Sequence, residues 1–149
     1  MPRELLAGLV LGIDHVGVCV AELDESAALW SELLGLAVAH RECVDPQRTE
    51  AAFLDPPGGG ATLELVAPMA GNQGLEKFLA RRGAGLHHVA FAVSDLDAAL
   101  ARLTAAGVPL IDTAPRPGAR GHRVAFLHPK AMGGTLVELV QRGAHGKGG

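Results

Sequence analysis

The chain repeats itself at a spacing of about half its own length. Residues 15–20, HVGVCV, match residues 88–93, HVAFAV, and the offset from position 15 to position 88 is 73. Residues 62–66, TLELV, match residues 136–140, LVELV, at an offset of 74. A repeat of this kind indicates that the chain folds as two copies of one supersecondary unit, since neither copy can cover both faces of its own small sheet.

Each copy is predicted to run strand, helix, strand, strand, strand. Alternating apolar residues and turn signals predict the strands, at 11–20, 36–41, 50–54, 61–66, 86–93, 108–111, 122–126 and 135–140. Helices are predicted from an N-cap at Asp24 to Gly35, over 75–82, and from an N-cap at Asp95 to Gly107. Polar, proline-containing segments at 42–49 and 112–121 are predicted loops.

These elements predict an α+β fold with two βαβββ modules in tandem, at 11–68 and 86–142. A linker helix at 69–85 joins them, and a Gly-, His- and Lys-rich tail at 143–149 is expected to be disordered. Two such modules side by side can curve into an open, mostly antiparallel, barrel-like sheet within one domain. Residues at matching positions of the two modules would then meet inside it.

Charge and cysteine content exclude several classes of protein. The net charge is −3 and no dense basic run is present, so the sequence gives no nucleic-acid footprint. Two cysteines do not make a disulfide framework, and Cys19 is predicted to be an inert residue in a buried strand. The apolar run at 5–13 is too short to cross a membrane and lacks a signal-peptide cleavage site. A cytoplasmic location without membrane partners is therefore expected.

Each half places one histidine at the start of a strand and one glutamate inside a later strand. Taken singly, His15 and His88 are more often hydrogen-bonded structural residues than metal ligands. Glu64 and Glu138 sit in apolar strands, where an unpartnered carboxylate is costly, although a half-exposed antiparallel sheet also permits both to face solvent. Because both residue types recur at matching positions, the pattern favours two half-sites of one metal centre.

Two imidazoles and two carboxylates form a nitrogen and oxygen ligand set. Such a set suits Co²⁺, Mn²⁺, Ni²⁺, Fe²⁺ or Zn²⁺ in five- or six-coordinate geometry, and it differs from the thiolate set of a structural zinc site. Strand alternation points His87 to the face opposite His88. Three other histidines have no partner in the pattern and are expected at the surface: His40, His122 and His145.

The repeated pattern with its histidines and glutamates resembles the vicinal oxygen chelate superfamily, which includes glyoxalase. Within it the chain is similar to the methylmalonyl-CoA epimerase family from Ile13 to Gln141. The segments that carry this resemblance are IDHVGVCV, KFLARRGAGLHHVAFAVSDLDAAL, GVPLID and GHRVAFLHPKAMGGTLVELVQ.

The resemblance implies a divalent metal, Co²⁺ first, held by His15, Glu64, His88 and Glu138. It implies epimerisation of (2R)- and (2S)-methylmalonyl-CoA by removal of the proton α to the thioester, through a metal-stabilised enolate. Glu138 and Glu50 would be the proton-transfer groups on the two faces of the substrate. The loop before Glu50 is one residue shorter than the family pattern, and from the residues alone Glu50 is a solvated carboxylate at a strand start.

His128 and Lys130 belong to the HPK element before the last strand. Their ordinary interpretation is a turn, and a contact with a phosphate or carboxylate of the acyl-CoA substrate is the sharper alternative. A homodimer is expected from the resemblance. Two other functions stay open: a lactoylglutathione lyase of the glyoxalase I type, and a ligand-sequestering binding protein of the same fold without catalysis.

Overall fold

The computed structural model describes residues 4–143 and divides into two compact units. The first unit is 15–87, and the second combines the N-terminal residues up to 14 with the chain from 88 onward. Within the described residues, three helices and eight strands follow in chain order: β1 Val10–Cys19, α1 Leu23–Leu34, β2 Ala37–Val44, β3 Thr49–Asp55, β4 Thr62–Pro68, α2 Gln73–Arg82, β5 Gly85–Val93, α3 Leu96–Ala105, β6 Arg116–Pro117, β7 Arg123–Leu127 and β8 Val137–Gln141. The predicted α+β class, with its two βαβββ copies, is confirmed.

The first unit has the strand order β2-β3-β4-β1. Its β2–β3 and β3–β4 pairs are antiparallel, and β4 lies parallel to β1. One face of this sheet packs against α1 through an apolar cluster that contains Ala52, Leu54 and Leu65, with Trp30 packed against it. The opposite face carries Phe53 and Glu64, which are cross-strand partners. Side chains with chemical function therefore lie on the face away from the helix.

The second unit has the matching order β5-β8-β7-β6. Here β5 and β8 are parallel, and β8–β7 and β7–β6 are antiparallel. Helix α3 covers one face through Leu96, Leu100 and Leu103. A helix connects β1 to β2 and β5 to β6, so the two strands that it joins run in the same direction. After two antiparallel connections, the last strand of each unit runs in that direction again and pairs in parallel with the first strand.

The N-terminal segment packs on the second unit, which the sequence did not indicate. Leu5, Leu6 and Leu9 contact the apolar cluster around α3. The Ser94 amide donates to the Leu9 carbonyl at 2.9 Å. Arg102 donates to the carbonyl of Leu5 at 3.3 Å. The segment before the first repeat thus completes the hydrophobic core of the second unit.

The helix ends show which local signals hold. Asp95 is the N-cap of α3, and its carboxylate accepts a hydrogen bond from the Ala98 amide at 3.0 Å. Gly35 ends α1 in a left-handed conformation with φ of 70°. The prediction of Asp24 as the N-cap of α1 was wrong, because Glu22 holds that position and Asp24 lies in the first turn. An acidic residue in the first turn is favourable to the helix dipole without being a cap.

Two segments depart from the predicted elements. The strand predicted at 108–111 is absent, and only Leu110 forms an isolated bridge with Leu127. The short strand β6, Arg116–Pro117, lies instead inside the predicted loop at 112–121. The loop predicted at 42–49 contains the end of β2 and the first residue of β3. An edge strand can be this polar because one of its faces meets solvent.

The module boundaries 11–68, 69–85 and 86–142 stay a prediction. Within the predicted tail, residues 144–149 lie outside the described residues, as does His145. In the described part of the chain, no helix is long and apolar enough to cross a membrane.

Candidate functional site

His15 and Glu64 form a buried pair in the first unit. Gly17 of β1 is the partner of Glu64 in the parallel ladder, so that His15 and Glu64 share a face of the sheet. The His15 Nε2 lies 3.0 Å from the Glu64 Oε1. Only 5% of His15 and 8% of Glu64 are exposed. The predicted strand positions thus place these two groups side by side, away from bulk water.

His88 and Glu138 form the corresponding pair in the second unit. Ala90 of β5 is the partner of Glu138 in the parallel ladder, which repeats the register of the first unit. The His88 Nε2 lies 3.2 Å from the Glu138 Oε1, and both residues are buried. The internal repeat therefore extends from the sequence to the hydrogen-bond register and the side-chain geometry.

Each pair has a donor chemistry and spacing that fit a metal ion. A neutral imidazole and a carboxylate at right angles on one ion, each about 2.1 Å from it, would lie about 3.0 Å apart. The observed separations of 3.0 and 3.2 Å agree with that value. Buried carboxylates also need a positive charge nearby, because desolvating an uncompensated charge is costly. A plain histidine–carboxylate ion pair has the same spacing. The distances therefore agree with a metal site, and the types of donor atom are what favour one.

A phenylalanine packs edge-on against each histidine. Phe53 contacts the His15 ring at 6.1 Å between centroids, and Phe126 contacts the His88 ring at 5.9 Å. Phe53 is the cross-strand partner of Glu64, and Phe126 is the partner of Glu138. Sequence reasoning missed both aromatic residues. Their offset of 73 positions, the same as that of the histidines, is the signal that identifies them.

On the side of Phe53 away from His15 lies a second ion pair. The His40 ring lies 6.1 Å from the Phe53 ring, and its Nε2 is 2.7 Å from the Glu42 Oε1. His40 was expected as an unpartnered surface residue, but the structure shows it half-buried with a carboxylate partner. The β2–β3 register explains this, because it places His40 opposite Phe53.

On the corresponding side of Phe126, the second unit has an arginine. The Arg116 guanidinium carbon lies 5.4 Å from the centre of the Phe126 ring. The Arg116 Nε lies 3.3 Å from the Asp112 Oδ1. The two units therefore match in their histidine, glutamate and phenylalanine but differ in the next layer, where one has a titratable imidazole and the other a permanent cation.

Glu50 occupies the other face of the first sheet. In the antiparallel ladder it pairs with Ala67, whereas its neighbour Ala51 pairs with Val66 and shares the face of Glu64. Among the described residues, no hydrogen bond or ion pair holds the Glu50 side chain. Because alternate residues of a strand point to opposite faces, the register does not bring Glu50 to the His15–Glu64 pair. Its catalytic role stays a prediction, and the register is an argument against it.

The HPK element forms a turn at the surface. His128 is exposed, and its Nδ1 accepts a hydrogen bond from the Lys130 amide at 3.0 Å. This contact caps a short 3₁₀ turn at Pro129–Met132. The turn gives His128 a structural role, and a substrate contact by His128 or Lys130 stays a prediction.

Two further histidines have structural contacts. His87 packs against Phe78 of α2 with 5.0 Å between ring centroids, in agreement with the prediction that it points to the face opposite His88. His122 was expected at the surface, but it is buried, and its Nδ1 accepts a hydrogen bond from the Gly143 amide. That prediction was wrong because the antiparallel pairing of β7 with β8 brings Gly143, just after β8, onto the His122 ring.

The two cysteines are free thiols in different surroundings. Cys19 is fully buried in β1, as predicted, and burial raises the pKa of its thiol to about 11. Cys43 is exposed on β2. Since a thiol is reactive as the thiolate, Cys19 is chemically inert at neutral pH.

The chain is similar to several known proteins. A family model described as the Glyoxalase/Bleomycin resistance protein/Dioxygenase superfamily matches residues 14–126. The uncharacterized protein YqjC of Bacillus subtilis (strain 168) is 37% identical over 129 residues, which cover 87% of this chain and 91% of that protein. The ethylmalonyl-CoA/methylmalonyl-CoA epimerase of Cereibacter sphaeroides is 34% identical over 131 residues, which cover 87% of this chain and 96% of the relative. The crystal structure of methylmalonyl-CoA epimerase from Mycobacterium tuberculosis has a TM-score of 0.88 at 39% identity, covering 97% of this chain and 95% of that one.

Proposed function

We propose that this chain, which belongs to the Glyoxalase/Bleomycin resistance protein/Dioxygenase superfamily, is a metal-dependent methylmalonyl-CoA epimerase. It interconverts the (2R) and (2S) forms of methylmalonyl-CoA by moving the proton α to the thioester. The observation that carries this proposal is the matched pair of buried His–Glu contacts on a duplicated frame. Similarity to epimerases over most of the chain favours epimerisation among the reactions that a duplicated fold with these residues supports.

The metal-binding residues are His15, Glu64, His88 and Glu138, which form one candidate group of ligands. Two imidazole nitrogens and two carboxylate oxygens leave positions for substrate oxygens in a five- or six-coordinate site. Co²⁺ is the proposed ion, with Mn²⁺, Zn²⁺ and Ni²⁺ as alternatives of the same ligand preference. When bound, the divalent ion supplies a Lewis acid for the negative charge that develops when the α proton leaves.

The protein itself must move protons on both faces of the planar carbanion, because inversion removes a proton from one face and returns one to the other. Glu138 is the proposed proton-transfer group on one face. For the other face, the family resemblance implies Glu50, whereas the strand register favours Glu64. Glu64 holds in the first unit the position that Glu138 holds in the second, so the repeat supplies one carboxylate from each unit.

Phe53 and Phe126 keep the proton-transfer groups in an apolar setting. Each ring packs on the histidine and lies across the strand from the glutamate of its own unit. An apolar neighbour limits the access of water to the carboxylate, which strengthens electrostatic effects on the reacting carbon.

The remaining parts of the proposal concern location and assembly. Cys19 and Cys43 are both free, which suits a reducing cytoplasm. A homodimer is proposed from the family resemblance. The substrate partner is a small acyl-CoA, in agreement with the name of the Cereibacter sphaeroides relative.

Two alternatives remain distinguishable. A glyoxalase I-type lyase would use the same kinds of ligands on a glutathione hemithioacetal, and glutamate at position 64 is compatible with it. A binding protein that sequesters a ligand would have no need of buried proton-transfer carboxylates, which the structure has in both units. The similarity to epimerases, with up to 96% of the relative covered, favours the proposed reaction.

The test is exchange of the α proton of methylmalonyl-CoA in D₂O, followed by NMR. The protein is examined as purified, after EDTA, and after reloading with Co²⁺. Rapid exchange that EDTA abolishes and Co²⁺ restores is the expected result. Exchange that is absent with each of the four candidate metals would overturn the proposal. The glutathione hemithioacetal of methylglyoxal serves as the comparison substrate for the glyoxalase alternative.

A further inference from the structure

We propose that Arg116 binds the free carboxylate of the substrate and thereby selects dicarboxylic acyl thioesters over simple ones. This inference rests on the proposed function, since it assigns the substrate contact of the same site. Its basis is a guanidinium that packs on Phe126, the ring that also contacts His88, and that has hydrogen-bond donors to spare.

The position of Arg116 follows from one aromatic ring. Phe126 contacts the His88 ring at 5.9 Å and the Arg116 guanidinium carbon at 5.4 Å from its centroid. Phe126 is also the cross-strand partner of Glu138. A single side chain therefore contacts both the cation and His88 and lies across the strand from Glu138, and cation–π attraction holds the guanidinium over the ring.

The donors of Arg116 are largely unused. Its Nε is buried and has no hydrogen-bond partner. The nearest acidic oxygen, Asp112 Oδ1, is 3.3 Å away, and no hydrogen bond joins the guanidinium to any residue within 4–143. Because 40% of the side chain is exposed, its outer nitrogens can be reached by a ligand. Arginine has five donors in a planar fork, a geometry that matches a carboxylate.

The segment that carries Arg116 is held in place. Pro115 and Pro117 flank it, and Pro117 restricts Arg116 itself to extended backbone. Arg116 pairs with Val124 in the β6–β7 ladder. Gly118 packs so closely on Val124 that a Cβ there would lie 2.7 Å from a methyl carbon. A cation on such a fixed segment loses little conformational freedom when a ligand binds.

Asp112 is the positioning residue of this arrangement. Its Oδ2 accepts a hydrogen bond from the Phe126 amide at 2.8 Å, and its Oδ1 faces the Arg116 Nε. The Asp112 carboxylate thus contacts both the backbone of Phe126 and the Arg116 guanidinium that packs on the Phe126 ring. It occupies one edge of the guanidinium and leaves the other edge for an anion from outside.

The substrate offers two kinds of anion, namely the free carboxylate of its acyl group and the phosphates of CoA. The acyl group is the part that must lie beside Glu138 for proton transfer, and the phosphates stand at the far end of the pantetheine arm. Because Arg116 is linked to the His88–Glu138 pair through one ring, the carboxylate is the anion that we assign to it.

The experiment compares Arg116→Gln and Arg116→Lys with the parent protein, all loaded with Co²⁺. Arg123→Gln is the matched control, because Arg123 is an exposed arginine on β7 that pairs with Asp97. Dissociation constants are measured by calorimetry for methylmalonyl-CoA, the methylmalonyl thioester of pantetheine, and propionyl-CoA. The pantetheine thioester lacks the phosphates, and propionyl-CoA lacks the free carboxylate.

Arg116→Gln is expected to weaken binding of both methylmalonyl thioesters by about 10- to 100-fold, as for a lost charged hydrogen bond. Binding of propionyl-CoA is expected to stay unchanged, and Arg116→Lys to recover part of the loss. Weakening of both CoA esters but not of the pantetheine thioester would overturn the assignment in favour of a phosphate. Equal weakening of all three would show a structural role and overturn it as well.

These outcomes separate the inference from the proposed function. A parent protein that neither exchanges nor binds methylmalonyl-CoA overturns the proposed function and the inference with it. A parent that exchanges the α proton, together with an Arg116→Gln variant that binds methylmalonyl-CoA as well as the parent, overturns the inference alone.

Discussion

Removing the metal is expected to lower the thermal stability of the protein by several degrees. The proposed ligands are His15, Glu64, His88 and Glu138, each no more than 8% exposed. Without an ion, the two carboxylates stay buried beside the imidazoles of the His–Glu pairs. An ion that binds only the folded protein stabilises it through mass action.

The magnitude follows from the concentration of free ion. At a Co²⁺ concentration of about 100 times the dissociation constant, the gain is about 2.7 kcal/mol. For a chain of 149 residues, each kcal/mol changes the melting temperature by about 2–4 °C, which gives a rise of about 5–11 °C. Differential scanning calorimetry of EDTA-treated protein, with and without Co²⁺, measures this change.

Variants show whether the named residues are responsible. His88→Gln is expected to reduce the Co²⁺-induced rise strongly, because it removes one of four ligands. His128→Gln is the matched control, since this histidine is exposed and caps a surface turn. A parent protein whose melting temperature does not respond to Co²⁺ or to the other candidate ions would refute the reasoning. A rise of equal size in His88→Gln would show that the ion binds elsewhere.

Two further predictions concern a carboxylate and a pair of thiols. Glu50→Gln is expected to keep the rate of α-proton exchange within about threefold of the parent. Glu138→Gln is expected to lower that rate at least about 100-fold, as for the loss of a general acid–base catalyst. An equally large loss in Glu50→Gln would instead establish Glu50 as a base. A thiol reagent is expected to modify Cys43 alone in the folded protein and Cys19 also after unfolding, and two reacting thiols in the folded state would contradict the burial of Cys19. The folded pKa of Cys19 is raised to about 11 from 9.0, so its contribution to stability is present below pH 9 and is lost as the pH rises through 11. Unfolding curves measured over a pH series are expected to show this loss in the parent protein and not in Cys19→Ala.

The internal repeat made most of the fold and the pairing of the His and Glu side chains predictable. Side-chain alternation within a strand is a local property, so matching strands place matching histidines and glutamates on equivalent faces. Offsets of 73 and 74 matched His15 with His88 and Glu64 with Glu138. The structure then gives the His15–Glu64 and His88–Glu138 contacts nearly the same length, at 3.0 and 3.2 Å. The cap at Asp95 and the helix end at Gly35 were also predictable from local sequence, because helix caps depend on neighbouring residues.

Strand pairing had to be known before Glu50 could be placed. The family resemblance implies a catalytic carboxylate at this position, but a shift of one residue in a strand moves a side chain to the opposite face. The β3–β4 register puts Ala51 rather than Glu50 on the face of Glu64. A single sequence does not show this register, because strand pairing is set by contacts between segments distant in the chain.

Periodicity and composition were enough to predict the duplicated βαβββ plan, the positions of the His and Glu residues and the lack of a disulfide framework. Tertiary contacts were needed to show that the N-terminal leucines complete the second core, that His122 is buried, and that Arg116 lies over Phe126. These contacts join residues distant in sequence or lie in loops without a regular period. Their energies come from packing and charge between side chains that no local pattern pairs in advance.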